Sequence, residues 1–239
     1  MKGPLEATQK PRIKICCIAS LEEAWLAIRY GASALGLVSE MPSGPGVIPE
    51  ALIAQIAGAL PPAIGSFLLT SQQDAAAIIA QQRRCCVNTI QICDRLLRFS
   101  SYQALREAMP GIAILQVIHV TSPESIEEAL SVADHVDGIL LDSGDPSLTT
   151  KELGGTGRRH DWRISRRIRA SVDVPVFLAG GLHSGNVAEA IREVGPFALD
   201  VCNGVRTDGM LDEVKLSQFF EAIEAARPFG RPPRSSRED

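Results

Sequence analysis

Short apolar runs alternate with amphipathic stretches along almost the whole chain. Runs rich in Val, Ile and Leu at 12–18, 33–38, 64–69, 89–93, 112–118, 138–141, 176–179 and 199–202 read as strands, each followed by turn or loop residues. The intervening segments carry helical spacing. Ser20 is placed to N-cap the first helix, and Glu23 completes a capping box. Leu21, Ala24, Trp25 and Ile28 then form an expected buried stripe that ends at Gly31. Pro49 opens a second helix, where its missing N–H costs little. A helix opened by Ser122-Pro123-Glu124 continues its stripe through Ile126, Ala129 and Leu130. Later helices are expected over 161–172, 185–194 and 211–226, with weaker ones around 71–81 and 101–109.

Repeated βα units predict either a closed parallel barrel or a doubly wound sheet. Lys14 favours the barrel. It alternates with apolar neighbours in the first strand, and a lysine buried in an open sheet would be costly. Inside a barrel it can pair with an acid from an adjacent strand. Asp200 on the last strand becomes that neighbour when the sheet closes. The alternative is Lys14 at an exposed strand end. The expectation is thus an α/β fold, a single (β/α)8 TIM barrel over 12–227, with an N-terminal extension over 1–11. The segment 228–239, rich in Pro, Arg, Ser and acids, reads as a disordered tail. A chain of 239 residues suits one barrel of about 250 residues.

Composition narrows the function classes. The net charge of -4 does not suggest a nucleic-acid or anionic-membrane partner. No apolar run approaches the roughly 20 residues that span a bilayer, and the first residues hold no apolar signal core, so a cytoplasmic location is expected. Cysteines at 16, 17, 85, 86, 93 and 202 include no CxxC motif and read as reduced thiols. No Cys or His spacing suggests a metal site, and neither metal nor organic cofactor is expected.

In a barrel the chemistry sits where strands pass into βα loops. Cys16-Cys17 follow the first strand, Gln91 to Arg95 end the fourth, His119 ends the fifth and Asp142-Ser143 the sixth. Gly180-Gly181 and Asn203-Gly204 follow the seventh and eighth, where barrels commonly hold phosphate on backbone amides. Bland readings accompany these: Cys16 as a small buried hydrophobe, Asp142 as a loop-capping carboxylate, the glycines as tight turns. Cys17 reads as packing on the helix-facing side, and Cys85 and Cys86 look incidental.

The ordered set Lys14-Ile15-Cys16-Cys17, Leu140-Leu141-Asp142-Ser143, Gly154-Gly155-Thr156-Gly157 with Asp161-Trp162, Leu178 to Leu182 with Asn186-Val187, and Asp200 to Val205 resembles the phosphoribosylanthranilate isomerase family. The resemblance covers nearly the whole chain. It implies an Amadori rearrangement in tryptophan biosynthesis, an isomerase of the aldose–ketose type acting on a small sugar phosphate. It implies Asp142 as the general acid that opens the ribose ring and Cys16 as the base that removes the C2′ proton. Gly180, Gly181, Asn203 and Gly204 would bind the phosphate, and Lys14, Gln91, Arg95, His119 and Asp200 would position the substrate. Lys14 would also favour the Cys16 thiolate.

The sequence departs from the family pattern in its second loop. The family's Ser-Pro-Arg-Tyr-Val, whose Arg grips the anthranilate carboxylate, becomes Ser43-Gly44-Pro45-Gly46-Val47. Losing that contact would cost roughly 1.5–3 kcal/mol. Gln-Leu-His-Gly becomes Gln91-Ile92-Cys93-Asp94, Cys202 replaces a Ser, and Arg206 replaces a Glu. Arg95, Arg158 or His119 could supply the missing cation. The departures leave two other readings open: a sibling enzyme with the same Cys/Asp pair and a different sugar phosphate, and a non-catalytic phosphate-ligand-binding protein.

Overall fold

The computed structural model describes residues 10–226. The segment read as a tail, and all but the end of the N-terminal extension, lie outside them. Eight parallel strands close into a barrel in sequence order: β1 (Arg12–Ile15), β2 (Ala34–Val38), β3 (Gly65–Thr70), β4 (Thr89–Ile92), β5 (Ala113–His119), β6 (Gly138–Asp142), β7 (Val176–Leu178) and β8 (Ala198–Val201). Helices α1 (Leu21–Tyr30), α2 (Glu50–Ala59), α3 (Ala75–Cys85), α4 (Ser100–Ala108), α5 (Ser125–Ala133), α6 (Trp162–Ser171), α7 (Val187–Val194) and α8 (Glu213–Ala225) follow their strands. A 3-10 turn (Asn203–Val205) and a two-stranded hairpin, β9 (Arg206–Thr207) with β10 (Met210–Leu211), separate β8 from α8.

The period-2 alternation of each strand divides the apolar residues into two cores. Ile13, Ile15, Leu35, Leu37, Leu68, Ile90, Ile114, Leu141 and Leu199 face the helices. Ala34, Val38, Phe67, Leu69, Leu115, Val117 and Leu140 fill the barrel and its mouth. Lys14 lies in that interior with no solvent exposure, and its Nζ donates to Asp200 Oδ2 at 2.8 Å. The register of closure pairs these two residues directly. Gly36 leaves the space they occupy: a Cβ there would come within 2.8 Å of Cys16 Sγ and 3.1 Å of Lys14 Nζ.

Ser20 Oγ accepts from the Glu23 amide, and Gly31 takes the left-handed φ of 105° that ends α1. Three local expectations are corrected. Trp25 and Leu130 are each 41% exposed instead of buried. In α1 the barrel-facing stripe runs through Ala24 and Ala27, so Trp25, one position beyond Ala24, points outward. Cys17 does not continue β1 on the helix-facing side. The strand stops at Ile15, and Cys17 takes a left-handed φ of 61° that turns it into the barrel mouth.

Candidate active site

The C-terminal ends of the strands surround one cavity. Cys16 and Cys17 come from the end of β1, Gln91 and Cys93 from β4, Asp142 from β6, and Asp200, Cys202, Asn203 and Gly204 from β8. The β2 loop adds Met41, Ser43 and Pro45, and the loop after β6 adds Leu153 through Gly157. These two loops meet over the mouth: Ser43 Oγ donates to the Lys151 carbonyl at 2.7 Å, and Pro45 packs against Gly155. Asn203 Nδ2 donates to the Gly155 carbonyl at 3.0 Å, which fastens the same loop to β8.

Cys16 and Asp142 lie in the same cavity, on strands separated by β7 and β8. The neighbouring Cys17 side chain holds the Cys16 thiol below the usual thiol range. Burial and the Asp200 charge oppose this, and the Lys14 ammonium, 3.7 Å from Cys16 Sγ, supports it. Burial pushes the Asp142 carboxyl above the ordinary carboxylate range, although its Oδ1 accepts from the Ser143 amide at 2.7 Å. A thiol shifted toward the thiolate and a carboxyl shifted toward the acid are the opposed states that proton transfer at two points on one substrate requires. Burial alone would lower the Lys14 pKa. The charge and hydrogen bond of Asp200, with Cys16 nearby, raise it instead, so the ammonium persists.

The backbone amides of Gly180, Gly181, Asn203 and Gly204 donate to no protein acceptor among the described residues. Gly180 and Gly181 have φ of 82° and 63°, and a Cβ on Gly181 would lie 2.8 Å from the Arg158 backbone. Glycine is therefore required there by conformation and by close approach of the next loop. The four residues line the cavity on its β7–β8 side, and backbone N–H groups gathered in such a concavity are able to receive an anion.

Of the positioning residues expected from sequence, Gln91 and Asp200 line the cavity, and Lys14 lies fully buried beneath it against Asp200 and Cys16. Gln91 Oε1 and Asp200 Oδ1 are buried without a hydrogen-bond partner, so both hold unused acceptor capacity in the cavity wall. Arg95 does not join them. Its guanidinium makes two hydrogen bonds to Glu128 at 2.6 and 2.7 Å on the outer flank, 68% exposed, because the chain turns outward after Cys93. His119 is buried behind the site, its Nε2 3.0 Å from the Cys93 carbonyl, and does not line the cavity. Arg158 pairs with Glu152.

Sequence reasoning missed two features. Lys151 Nζ donates to Asp94 Oδ2 at 2.5 Å, which neutralises the acid that the β4 end introduces beside the Ser43 loop. Both residues lie in loops outside the strand register, so no sequence pattern pairs them. The other is Cys17, which was expected to pack against the helices and instead reaches the cavity through a positive φ of 61°. Arg206 is accounted for by structure: it is buried, pairs with Glu23, and donates to the carbonyls of Cys16 and Cys17 at 3.1 and 2.6 Å, clamping the turn that carries the thiol.

The family model described as N-(5'phosphoribosyl)anthranilate (PRA) isomerase matches residues 13–222. The chain belongs to this isomerase family. Among its relatives, N-(5'-phosphoribosyl)anthranilate isomerase of Methanosarcina acetivorans is 34% identical, covering 96% of this chain and 100% of the relative. The Nostoc punctiforme isomerase is 32% identical over 89% of this chain and 98% of its own. The crystal structure of phosphoribosyl anthranilate isomerase from Thermotoga maritima superposes with a TM-score of 0.76 at 27% identity, covering 90% of this chain and 98% of that one. A family structure in complex with reduced 1-(o-carboxyphenylamino)-1-deoxyribulose 5-phosphate superposes at 0.73 and 25% identity, with 90% and 98% covered. Within the described residues no helix is long and apolar enough to cross a membrane.

Proposed function

We propose that this chain isomerises N-(5'-phosphoribosyl)anthranilate to 1-(o-carboxyphenylamino)-1-deoxyribulose 5-phosphate, an Amadori rearrangement of tryptophan biosynthesis. The observation that carries the reading is the shared cavity of Cys16 and Asp142, with their proton affinities displaced in opposite directions beside glycine amides that donate to no protein acceptor among the described residues.

The reaction is derived from those groups. The substrate phosphate takes the amides of Gly180, Gly181, Asn203 and Gly204, which anchors the ribose between β1 and β6. Asp142, whose carboxyl burial holds above the ordinary carboxylate range, donates its proton to the furanose ring oxygen, and the ring opens to an iminium at C1′. The Cys16 thiolate removes the C2′ proton. The resulting enolamine tautomerises to the ketone. Lys14 keeps positive charge beneath the thiolate, and Asp200 keeps Lys14 in place.

The aglycone points toward the β2–β4 side, against Met41, Leu69, Cys93 and Leu153. No Arg or Lys side chain lines the cavity among the described residues. The cation we assign to the anthranilate carboxylate, in place of an arginine at Pro45, is Lys151, which lies outside this lining and has to turn from Asp94 into the cavity to reach it. The same lack of a lining cation supports a second reading, a sibling isomerase whose N-phosphoribosyl amine carries no carboxylate.

Expression in a tryptophan auxotroph lacking the isomerase tests the proposal. Growth is expected, and it should disappear with Cys16→Ala or Asp142→Ala. Soluble expression without growth would overturn the anthranilate reading in favour of the sibling enzyme.

A further inference from the structure

Three thiols meet where β1 and β8 end, and the isomerase mechanism uses one of them. Cys17 Sγ lies 2.8 Å from Cys202 Sγ. A disulfide has an S–S length of about 2.05 Å, so closure requires a shift of under about 1 Å. The backbone is already in place for it. The Cys16 amide donates to the Val201 carbonyl at 2.8 Å, which pins the two chains one residue before each cysteine. Adjacent strands run about 4.7–4.9 Å apart, inside the Cα separation of about 4.4–6.8 Å that a disulfide spans. The left-handed φ of Cys17 turns its side chain along the seam to Cys202. Both side chains line the cavity, and Cys202 is only half-buried, so a small oxidant reaches them by the substrate's own path. The other cysteines lack such a partner: Cys85 is buried under α3, Cys86 is exposed beside it, and Cys93 contacts Gln91.

We propose that Cys17 and Cys202 form an oxidation-sensitive dithiol that closes to a disulfide across the β1–β8 seam and thereby lowers the activity of the neighbouring site. The oxidant is a hydroperoxide. The Cys202 sulfur, as thiolate, attacks one peroxide oxygen; the O–O bond breaks, and water leaves when hydrogen peroxide is the oxidant. Cys202 is then a sulfenic acid. The Cys17 sulfur attacks that sulfur, the S–O bond breaks, and a second water leaves with the Cys17 proton. Two thiols and one hydrogen peroxide give one disulfide and two waters, and two electrons pass to the peroxide. A small dithiol reverses the bond by exchange.

The effect on activity follows from what Cys17 does while reduced. Cys17 follows Cys16 directly in the turn that Arg206 clamps by both carbonyls, so drawing its sulfur onto Cys202 displaces the base from its place beside Lys14. The reduced Cys17 also helps to hold the Cys16 thiol below the usual thiol range, and the disulfide withdraws that help. This consequence rests on Cys16 acting as the base. The disulfide itself does not.

The test uses the full reduced chain, treated with stoichiometric hydrogen peroxide, quenched with catalase, alkylated under denaturing conditions and mapped by mass spectrometry without reduction. The expected result is a cross-linked peptide pair, two hydrogens lighter than its parts, whose fragments join Cys17 to Cys202. Dithiothreitol should remove it and restore the activity lost on oxidation. Because Cys16 shares a peptide with Cys17, the map is repeated on Cys16→Ser, where the cross-link should persist, and on Cys202→Ser, where it should be lost. A bond that involves Cys16, or full alkylation of Cys17 and Cys202 after the peroxide is consumed, would overturn the assignment. A mapped Cys17–Cys202 bond with undiminished activity would overturn its role in control. The bond mapped on a chain with no isomerase activity even when reduced would defeat the proposed function and leave the dithiol standing.

Discussion

Removing one member of the buried Lys14–Asp200 pair should destabilise the barrel far more than removing both. The Lys14 side chain is wholly buried and Asp200 is 7% exposed, with Nζ and Oδ2 2.8 Å apart. Breaking such a pair leaves an uncompensated charge in the interior and costs about 3–5 kcal/mol. At about 2–4 °C per kcal/mol for a chain of this size, the loss in Tm is about 6–20 °C for Lys14→Met and likewise for Asp200→Asn. Exchanging both, as Lys14→Met with Asp200→Leu, removes the desolvation cost together with the attraction and should recover most of the loss. Lys14→Met carries a further signature. The stranded Asp200 carboxylate can escape its penalty by taking up a proton, so that variant's deficit should shrink as the pH is lowered. An ammonium stranded by Asp200→Asn gains nothing from acid. Thermal and urea unfolding of the three variants across pH gives the comparison. Single variants within about 1 kcal/mol of the parent, or a double variant as weak as the sum of the singles, would refute the claim that this pair is desolvated and mutually compensated.

Further outcomes follow from the site. Asp142→Asn should lower kcat by about 10²–10⁴-fold, and the fall in parental activity at high pH should vanish with it. The sign follows from the raised carboxyl, which works protonated and is lost as the pH rises through its pKa, whereas the lowered Cys16 thiol limits activity at low pH. Steady-state pH profiles check both limbs. Lys151→Met should raise KM for an anthranilate-bearing substrate by about 10- to 150-fold with kcat little changed, the equivalent of a charge-assisted contact of about 1.5–3 kcal/mol. An unchanged KM would remove Lys151 from the aglycone end. Burial lowers the pKa of His160 to about 4, with its Nε2 2.7 Å from Ser165 Oγ. Its depressed pKa means the unfolded chain binds the proton more readily. Stability from this group is therefore present above pH 6.5 and lost as the pH falls toward 4, by about 3 kcal/mol in all. Urea midpoints between pH 7 and pH 4 should show that slope, and His160→Gln should flatten it.

All eight predicted strands are present, their limits differing from expectation by a few residues at most. The pattern was legible because strand period, capping residues and glycine stops are local signals. Lys14 gave more, since a cation in an apolar strand needs an acid, and closure makes the last strand the neighbour of the first. The glycines after β7 and β8 were legible for a similar reason: a barrel offers few places where backbone amides can face its mouth. The outward turn of Arg95, the withdrawal of His119 behind Cys93 and the exposure of Trp25 were not legible. Residue spacing gives a side chain's direction from its own backbone, and it says little about which neighbouring loop will occupy that direction.

By itself, the sequence determined the order of elements, the closed topology and the chemical types available at the mouth. Apart from Lys14 and Asp200, tertiary structure alone decided which of those groups meet. Asp94 finds Lys151 57 residues away, Arg206 clamps Glu23 across 183, and Cys202 reaches Cys17 across 185. The physical reason is that a strand or helix imposes its geometry through hydrogen bonds a few residues long. Contacts among the loops at a barrel's rim arise only after the whole sheet has closed and brought its ends into one ring.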